Sequence, residues 1–314
     1  IYIAVMTDIK ALFFDIDGTL VSFKTHAIPQ SAVDALTEAH RRGIRIFFST
    51  GRPIAIITNL GQIAPLIDGY VTTNGAYSFV GADVVACHAM DATDVQAIIA
   101  DADRADYSLI VVGQRRVVVY NRKDIVDRIF VHDLGVDALD FSLTLADLKD
   151  EPILQMTPFI TTEQEALLAR HVSHCTFGRW HPEFVDITRD HIDKARGLRE
   201  MAAHLGIDIS QTMAFGDGGN DIPILRQAGI GVAMGNSTAE VQAAANYVTT
   251  HIDDDGVARA LLGDVRETVG TLRSAPPDLD RALRELARDL PGLDVSIEVA
   301  PDVRVDDEQA TALI

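Results

Sequence analysis

The sequence predicts an α/β fold in which a parallel sheet is interrupted by an inserted α+β domain. The chain has 314 residues, about twice the length of an ordinary single domain. Short apolar runs alternate with amphipathic helical stretches in its first 78 residues and again after residue 189, as in parallel sheets with crossover helices. Between these regions, pairs of short strands separated by turn residues indicate antiparallel hairpins.

The first parallel unit starts with a wholly apolar run, which predicts a buried strand. The helix after it should end where two arginines and a glycine follow one another, because cations and then glycine are typical of a helix C-terminus. We expect, in order, a strand at 11–14, a helix from Pro29 to Gly43, a strand at 44–48, a helix starting at Pro53 and a strand at 70–73.

The middle of the chain has a different pattern, because hairpins and helices are mixed there. The clearest hairpin joins strands at 109–112 and 117–120. The other elements predicted in this region are a strand at 79–86, helices at 93–104, 125–134 and 163–172, and strands at 153–159, 175–179 and 183–188. The alternation then resumes with a helix at 194–205, a strand at 213–215, a helix at 221–228 and a strand at 231–234.

These patterns predict three regions. A discontinuous first domain spans 1–78 and 189–265, and the inserted α+β domain spans 79–188. The remaining segment, 266–314, forms a C-terminal extension to which the sequence assigns no role.

Charge and composition limit the partners of the protein. Acidic residues outnumber Lys and Arg by 46 to 27, which gives a formal net charge of −19. Binding to nucleic acid or to an anionic membrane is therefore disfavoured, because both need clustered cations. No apolar run reaches the ~18 residues of a membrane span, and the two cysteines, Cys87 and Cys175, are too few for a disulfide framework. We expect a cytoplasmic protein, a monomer or weak dimer, whose partner is a small molecule.

The first chemical feature is a pair of acids, Asp15 and Asp17, that follows the first strand and precedes Gly18. Ligand sites of open α/β sheets lie beyond the carboxyl ends of the strands. There, one carboxylate can ligate a cation or attack a phosphorus atom, and the other can exchange protons with a leaving group. The alternative is an ordinary Asp-Gly turn with two solvated acids.

A second acidic turn, the segment 215–221, also follows a strand and is rich in glycine. Asp217 suits a cation that prefers oxygen ligands, such as Mg²⁺. The alternative is a plain loop in which Asn220 or Asp221 caps the following helix. The spacing lacks the third glycine of a dinucleotide-binding turn, so that kind of site is disfavoured.

Two single residues complete the set. Thr50, at the end of the second strand, can donate a hydrogen bond to a phosphate oxygen or simply form a Ser/Thr turn. Lys194 lies at a helix start, where the helix dipole disfavours a cation. An anion or carboxylates nearby would justify that position, and a surface lysine is the alternative.

Acid pair, hydroxyl, lysine and acidic glycine loop, in this order, resemble the four motifs of the haloacid dehalogenase-like hydrolases, in particular the Cof-type class IIB phosphatases. The resemblance covers residues 9 to about 262. The segments that carry it are 15–20, 50–52, 73–76, 216–221, 231–235 and 255–261. The segments 11–23, 155–160 and 178–180 are similar to the broad-range sugar phosphatases of that class.

The resemblance implies a Rossmann-like parallel sheet core with an inserted α+β cap domain that closes over the site. It implies that Asp15 is a nucleophile that forms an aspartyl-phosphate, and that Asp17 is the general acid and base. Mg²⁺ would be held by the Asp15 carboxylate, the Asp17 carbonyl and Asp217, with Asp221 as an outer partner.

The same resemblance implies that Thr50, Lys194, Asn220 and the backbone near Gly18 hold the phosphoryl group. In the cap, Trp180 is either a platform for a sugar ring, with Arg179 beside it, or part of the cap core. Asp186 is a weaker candidate for contact with sugar hydroxyls, and a solvated acid is the ordinary interpretation.

The function implied is a Mg²⁺-dependent phosphatase of small sugar phosphates, with hexose phosphates as the expected substrates. A phosphomutase of the phosphomannomutase-like type is the alternative enzyme, because both reactions use Asp15 and Asp17. A non-catalytic sensor of phosphorylated sugars is a third possibility. The intact acids in every motif argue against it, because a sensor need not retain a nucleophile.

Overall fold

The computed structural model describes residues 9–136 and 138–262, which form two β-sheets with helices packed against them. The strands are, in chain order, β1 (Ala11–Phe14), β2 (Arg45–Ser49), β3 (Gly69–Thr72), β4 (Tyr77–Val80), β5 (Asp83–Cys87), β6 (Leu109–Gly113), β7 (Val117–Tyr120), β8 (Ile153–Pro158), β9 (Cys175–His181), β10 (Phe184–Arg189), β11 (Thr212–Gly216), β12 (Ile230–Ala233) and β13 (Tyr247–Val248). The α-helices are α1 (Gln30–Arg41), α2 (Ala92–Ala105), α3 (Asp124–Val126), α4 (Thr162–Leu168), α5 (Lys194–Leu205), α6 (Ile222–Gln227), α7 (Ala239–Ala244) and α8 (Gly256–Leu262).

The larger sheet has eight strands in the order β13-β12-β11-β1-β2-β3-β4-β5. Its six strands from β13 to β3 are parallel, and β4 and β5 add an antiparallel hairpin at one edge. The chain leaves β1 toward β2 on one side, and returns through β11 on the other. The carboxyl ends of β1 and β11 therefore flank the point where the strand order reverses, which is where ligands bind in open α/β sheets.

Apolar residues alternate between the two faces of β1, and both faces are buried. Phe13 stacks on Phe47 with ring centroids 5.0 Å apart, on the side covered by α5 and α6. Phe14 stacks on Phe215 at 4.5 Å, on the side covered by α1 and α8. Burial of both faces explains the uninterrupted apolar run of this strand and fixes the strand end that carries Asp15.

The smaller, antiparallel sheet has the order β7-β6-β8-β10-β9 and belongs to the inserted domain, here called the cap. One face packs against α2. The apolar part of the other face packs against α3 and the π-helical turn Asp127–Asp133 that follows it. The rest of that face turns toward the carboxyl ends of the core strands, so core and cap enclose a cavity.

Two predictions about local structure are wrong. The helix expected from Pro53 is replaced by the short 3₁₀ helices Ile54–Ile56 and Gly61–Leu66, the second of which contains Pro65, a residue without a backbone N–H. The predicted cap boundary at residue 79 lies too early, because the hairpin β4–β5 extends the core sheet and Phe79 stacks on Tyr70 of β3 at 5.3 Å.

The predicted extension 266–314 lies outside the described residues. Among the helices of the described ranges, none is long and apolar enough to cross a membrane.

Candidate active site

The predicted site residues come together at the carboxyl edge of the core sheet. Asp15 follows β1, Thr50 follows β2, Asp217 follows β11, and Lys194 is the first residue of α5. All four line a single cavity of about 700 Å³ between core and cap. The sequence motifs are therefore neighbours in space, as strand-end positions in a parallel sheet predict.

Lys194 is fully buried and bridges two carboxylates. Its Nζ donates to Asp15 Oδ1 and to Asp221 Oδ1, each at 2.5 Å. Burial by itself lowers the pKa of this ammonium, but the two carboxylates outweigh that effect and raise the pKa above its usual value. The cation at a helix N-terminus is thus explained by its carboxylate partners, and the surface-lysine alternative is wrong.

Asp15, Asp217 and Asp221 form a compact acidic cluster, in which one oxygen from each lies within 4.8 Å of the others. Burial, and then the charge of Asp221, raise the pKa of Asp217 to about 7. Burial also raises the pKa of Asp15, against the lowering effect of Lys194. Three crowded carboxylates are a fitting oxygen-ligand set for a divalent cation, which would relieve their mutual repulsion.

Gly18 fits closely against this cluster. Its backbone has a φ of +83°, and a Cβ built on it would lie 2.3 Å from Asp217 Oδ2. Its N–H donates to the carbonyl of Val21 at 2.9 Å, so this amide, predicted to lie near a phosphoryl group, is engaged within the turn. The glycine leaves room for a carboxylate that a larger residue would displace.

Two further side chains fix the position of Asp217. Thr19 Oγ1 donates to Asp217 Oδ1 at 2.7 Å. Asn236 Nδ2 donates to the Gly18 carbonyl at 2.8 Å and to Asp217 Oδ2 at 3.4 Å, while the Asn236 Oδ1 accepts the N–H of Ile252. Sequence reasoning assigned neither residue a role. Thr19 lies within the segment 15–20 and Asn236 directly follows the segment 231–235, both of which were quoted for the family resemblance.

Asp221 has a different position from the other two acids of the cluster. Its Oδ2 accepts the N–H groups of Asp217 and Gly218, at 3.0 and 2.9 Å, and its Oδ1 accepts Lys194. Both oxygens are therefore occupied by protein donors. This arrangement holds the glycine-rich turn in place and agrees with the expectation of an outer rather than a direct partner.

Asp17 lies beside the cluster and is held by Arg52. The guanidinium makes a two-point contact, with Nε–Oδ2 at 2.6 Å and Nη2–Oδ1 at 2.8 Å. Such paired hydrogen bonds fix both the position and the plane of a carboxylate. Arg52 is the principal functional residue that sequence reasoning missed, although it stands two positions after Thr50 in a segment quoted for the resemblance.

Thr50 and Asn220 line the same cavity as the acidic cluster. The Thr50 hydroxyl accepts the N–H of Arg52 at 3.1 Å, which is the Ser/Thr turn given above as the alternative, and its own hydrogen is still available for donation. Asn220 Nδ2 donates to Asn74 Oδ1 at 3.0 Å, across from Thr50. Asn74 has a φ of +53°, a conformation that Asn tolerates better than most residues.

The cap contributes the opposite wall of the cavity. Arg179 lines it, but its guanidinium is anchored by Glu165 at 2.7 Å and by the carbonyls of Ile160, His181, Pro182 and Phe184. This favours a structural role over the predicted substrate contact. Trp180 belongs to β9, but its side chain lies outside the described part of the chain.

A model of the haloacid dehalogenase-like hydrolases matches residues 12–261 of the chain. The chain belongs to this family. The predicted fold class is confirmed as well, because solved structures of this family share the parallel-sheet core and the inserted cap.

Several members of the haloacid dehalogenase-like family are similar over most of their length. The subclass IIB sugar phosphatase BT4131 has a solved structure that is 45% identical, with a TM-score of 0.74, and the match covers 80% of this chain and 97% of that one. BT1666 from Bacteroides thetaiotaomicron, studied among phosphatases of the same superfamily, is 34% identical with a TM-score of 0.71, over 81% and 94%. "Putative phosphatase YkrA" of Bacillus subtilis is 28% identical over 258 residues, 81% of this chain and 97% of its own length.

Proposed function

We propose that this hydrolase is a Mg²⁺-dependent phosphatase that acts on small sugar phosphates, with hexose phosphates as substrates, through an aspartyl-phosphate intermediate. One observation carries the proposal. A buried carboxylate, Asp15, is oriented by a buried ammonium at the bottom of a cavity and stands next to a second acid, Asp17. The similarity to a subclass IIB sugar phosphatase supports the substrate class.

Asp15 has one oxygen available for attack. Because Oδ1 accepts Lys194, Oδ2 is the nucleophilic atom. Oδ2 forms a bond to phosphorus while the bond from phosphorus to the ester oxygen breaks. The departing alkoxide takes a proton from Asp17, and the phosphoryl group remains on Asp15.

The second step reverses the roles of the two acids. Asp17, now a carboxylate, takes a proton from water as the water oxygen attacks phosphorus. The bond from phosphorus to Asp15 Oδ2 breaks, and inorganic phosphate leaves. Asp17 is thereby reprotonated and Asp15 is restored, so atoms and charges balance over the cycle.

Arg52 adds a condition to this cycle. Its two-point contact occupies both oxygens of the Asp17 carboxylate, so Asp17 cannot approach a substrate oxygen while this contact is in place. We infer that, when substrate binds, Asp17 leaves Arg52, takes up a proton from solvent and contacts the ester oxygen. When the cavity empties, Asp17 releases that proton to solvent and returns to Arg52.

The remaining residues have supporting roles. The Asp15 and Asp217 carboxylates and the Asp17 carbonyl would hold Mg²⁺, with Asp221 as outer partner; the bound cation neutralises charge between an anionic nucleophile and an anionic phosphate. Thr50, Lys194, Asn220 and the backbone near Gly18 would bind phosphoryl oxygens, since phosphoryl transfer depends mainly on positioning and charge.

The test is phosphate release from a panel of hexose phosphates, nucleotides and phosphoglycolate. The wild type should release phosphate from hexose phosphates with Mg²⁺ and not with EDTA. The substitution Asp15→Asn should lower the rate of phosphate release at least about 10³-fold. Asp34→Asn, which changes an exposed acid on α1, is the matched control and should be unaffected. Absence of release from every compound by folded wild-type protein would overturn the proposal. The predicted cytoplasmic location and monomer or weak-dimer state stay predictions.

A further inference from the structure

One exposed aromatic side chain of the core lines the cavity. Phe23 follows the acid pair by six residues and is 61% exposed, the largest exposed fraction recorded for a large apolar side chain within 9–136 and 138–262. Of the exposed large apolar residues in those ranges, it alone lines the cavity. A single exposed apolar residue on an ordinary surface needs no explanation, but one that lines a substrate cavity offers area for a ligand to cover.

The ring of Phe23 lies next to the residues proposed to hold the metal. A Cβ built on Gly18 would lie 2.8 Å from Phe23 Cε2 and 2.3 Å from Asp217 Oδ2, so the ring edge and the carboxylate meet over the same glycine. The cap approaches the same turn, because a Cβ built on Gly135 would lie 4.0 Å from His26 Nδ1. The ring therefore borders the space through which a leaving group extends from the core toward the cap.

The turn 22–27 holds this ring on a fixed base. Ser22 is buried, and its Oγ donates to Asp253 Oδ1 at 2.6 Å and accepts the N–H of Lys24 at 3.1 Å. The N–H of His26 donates to the Ser22 carbonyl at 2.8 Å and closes the turn. Because the backbone under the ring is already ordered, a ligand that covers the ring costs little conformational entropy.

A phenylalanine ring selects its ligand by shape. It has no hydrogen-bonding group, so it recognises neither hydroxyl groups nor a second charge, and its partner has to offer an apolar surface. A pyranose offers one, because its hydroxyl groups point outward and its C–H groups form a nearly flat face. The open-chain form of the same sugar has no fixed face. An aromatic platform therefore distinguishes a sugar ring from an open chain.

Building on the proposed phosphatase function, we propose that Phe23 is a specificity-determining residue of the core, whose ring stacks on the C–H face of a pyranose leaving group. It gives a preference for cyclic over open-chain sugar phosphates. This assigns to the core a contact for which the sequence analysis considered Trp180 of the cap.

The test compares three compounds: glucose 6-phosphate, the open-chain glucitol 6-phosphate, and acetyl phosphate, which carries no sugar. The wild type should prefer glucose 6-phosphate over the open-chain compound at least about 5-fold in kcat/KM, and Phe23→Ala should remove most of this preference. The same variant should lower kcat/KM for glucose 6-phosphate about 10-fold relative to acetyl phosphate. A ratio of two kcat/KM values does not depend on the fraction of folded enzyme. Unchanged ratios in Phe23→Ala would overturn the proposal.

Further variants separate stacking from simple bulk. Phe23→Tyr keeps the ring and should retain the preference for the cyclic compound within about twofold. Phe23→Leu keeps apolar bulk without a flat face and should lose most of the preference, so a leucine variant equal to wild type would contradict the stacking contact. Phe141→Ala is the matched control and should change neither ratio. It alters an exposed phenylalanine of the cap that lies under the Arg122 guanidinium, outside the cavity lining.

A binding measurement separates this proposal from catalysis. Calorimetric titration of the Asp15→Asn variant, with Mg²⁺ present, should give a Kd for glucose 6-phosphate at least about 5-fold tighter than for glucitol 6-phosphate. Addition of Phe23→Ala should bring the two Kd values within about twofold of each other. If the wild type releases no phosphate from any compound, the proposed function fails and this comparison still decides the role of Phe23. An equal loss of affinity for both compounds would overturn the inference.

Discussion

Removal of the Asp217 charge should stabilise the metal-free protein while it abolishes the metal-dependent reaction. The pKa of Asp217 is raised from 3.8 to about 7 by burial and by the charge of Asp221. Because the pKa of Asp217 is higher in the folded state, ionisation of this group lowers the free energy of unfolding. The stability that the protonated carboxyl provides is fully present below about pH 4 and is lost as the pH rises through about 7. At pH 8 the carboxylate is ionised in both states, and the whole cost is felt.

The magnitude follows from the two pKa values. A rise from 3.8 to about 7 corresponds to about 4 kcal/mol, because one pKa unit is worth ~1.36 kcal/mol. Asp217→Asn removes this cost and keeps an oxygen that can accept from Thr19, which lies 2.7 Å away in the wild type. Since neighbouring acids share the repulsion, we expect a gain of about 2 to 4 kcal/mol in the free energy of unfolding at pH 8.

The assay is urea unfolding in EDTA at pH 8 and at pH 5, with Asp34→Asn as control. At pH 5 the wild-type Asp217 is largely protonated when folded, so the gain should fall below about 2 kcal/mol. With Mg²⁺ the wild type should become more stable and the variant should not, because the variant has lost a ligand. A variant less stable than wild type at pH 8 in EDTA, or a gain independent of pH, would refute the reasoning.

Three other substitutions test the remaining contacts. Lys194→Met should abolish activity and lower the free energy of unfolding by about 3 kcal/mol at pH 8, because two buried carboxylates lose their counter-charge. The loss of stability should be smaller at pH 5, and urea unfolding at the two pH values measures it. Arg52→Lys keeps the charge but loses the two-point contact with Asp17, and should lower kcat about 10-fold with the metal requirement unchanged, as steady-state kinetics will measure. Gly18→Ala brings a Cβ within 2.3 Å of Asp217 Oδ2 and should weaken Mg²⁺ at least about 10-fold in a titration of activity; an unchanged Mg²⁺ requirement would contradict the tight fit.

The positions of the chemical motifs could be predicted from the sequence because they depend on local rules. A buried apolar run fixes where β1 ends, and parallel strands bring their carboxyl ends together, so Asp15 and Asp217 had to be neighbours. Lys194 could be flagged because a cation at a helix start conflicts with the helix dipole. In each case the signal lay in a few consecutive residues.

The contacts that the sequence did not predict connect distant segments. The pairing of Arg52 with Asp17 depends on a turn after β2 that follows no periodic pattern. The four buried polar residues that the cap sheet turns to the cavity come together through the register of β8 against β10, in which alternate residues of two strands share a face: Gln155, Thr157, Asp186 and Thr188. Neither strand is distinctive when read alone. The segment 79–86 was predicted to be a single strand of the inserted domain, whereas it forms most of the hairpin β4–β5, and the pairing of that hairpin with β3 is decided by tertiary packing.

The charge of the core wall determines the order in which metal and substrate should bind. In the site itself, the four carboxylates of Asp15, Asp17, Asp217 and Asp221 and the two cations Lys194 and Arg52 leave a formal excess of two negative charges when every group is ionised, and Asp193 adds a fifth carboxylate to the cavity lining. A phosphate dianion is repelled from such a site until a divalent cation neutralises it, so the metal should bind before the substrate. The core wall can therefore accept the phosphate dianion of a substrate because it can first acquire a metal.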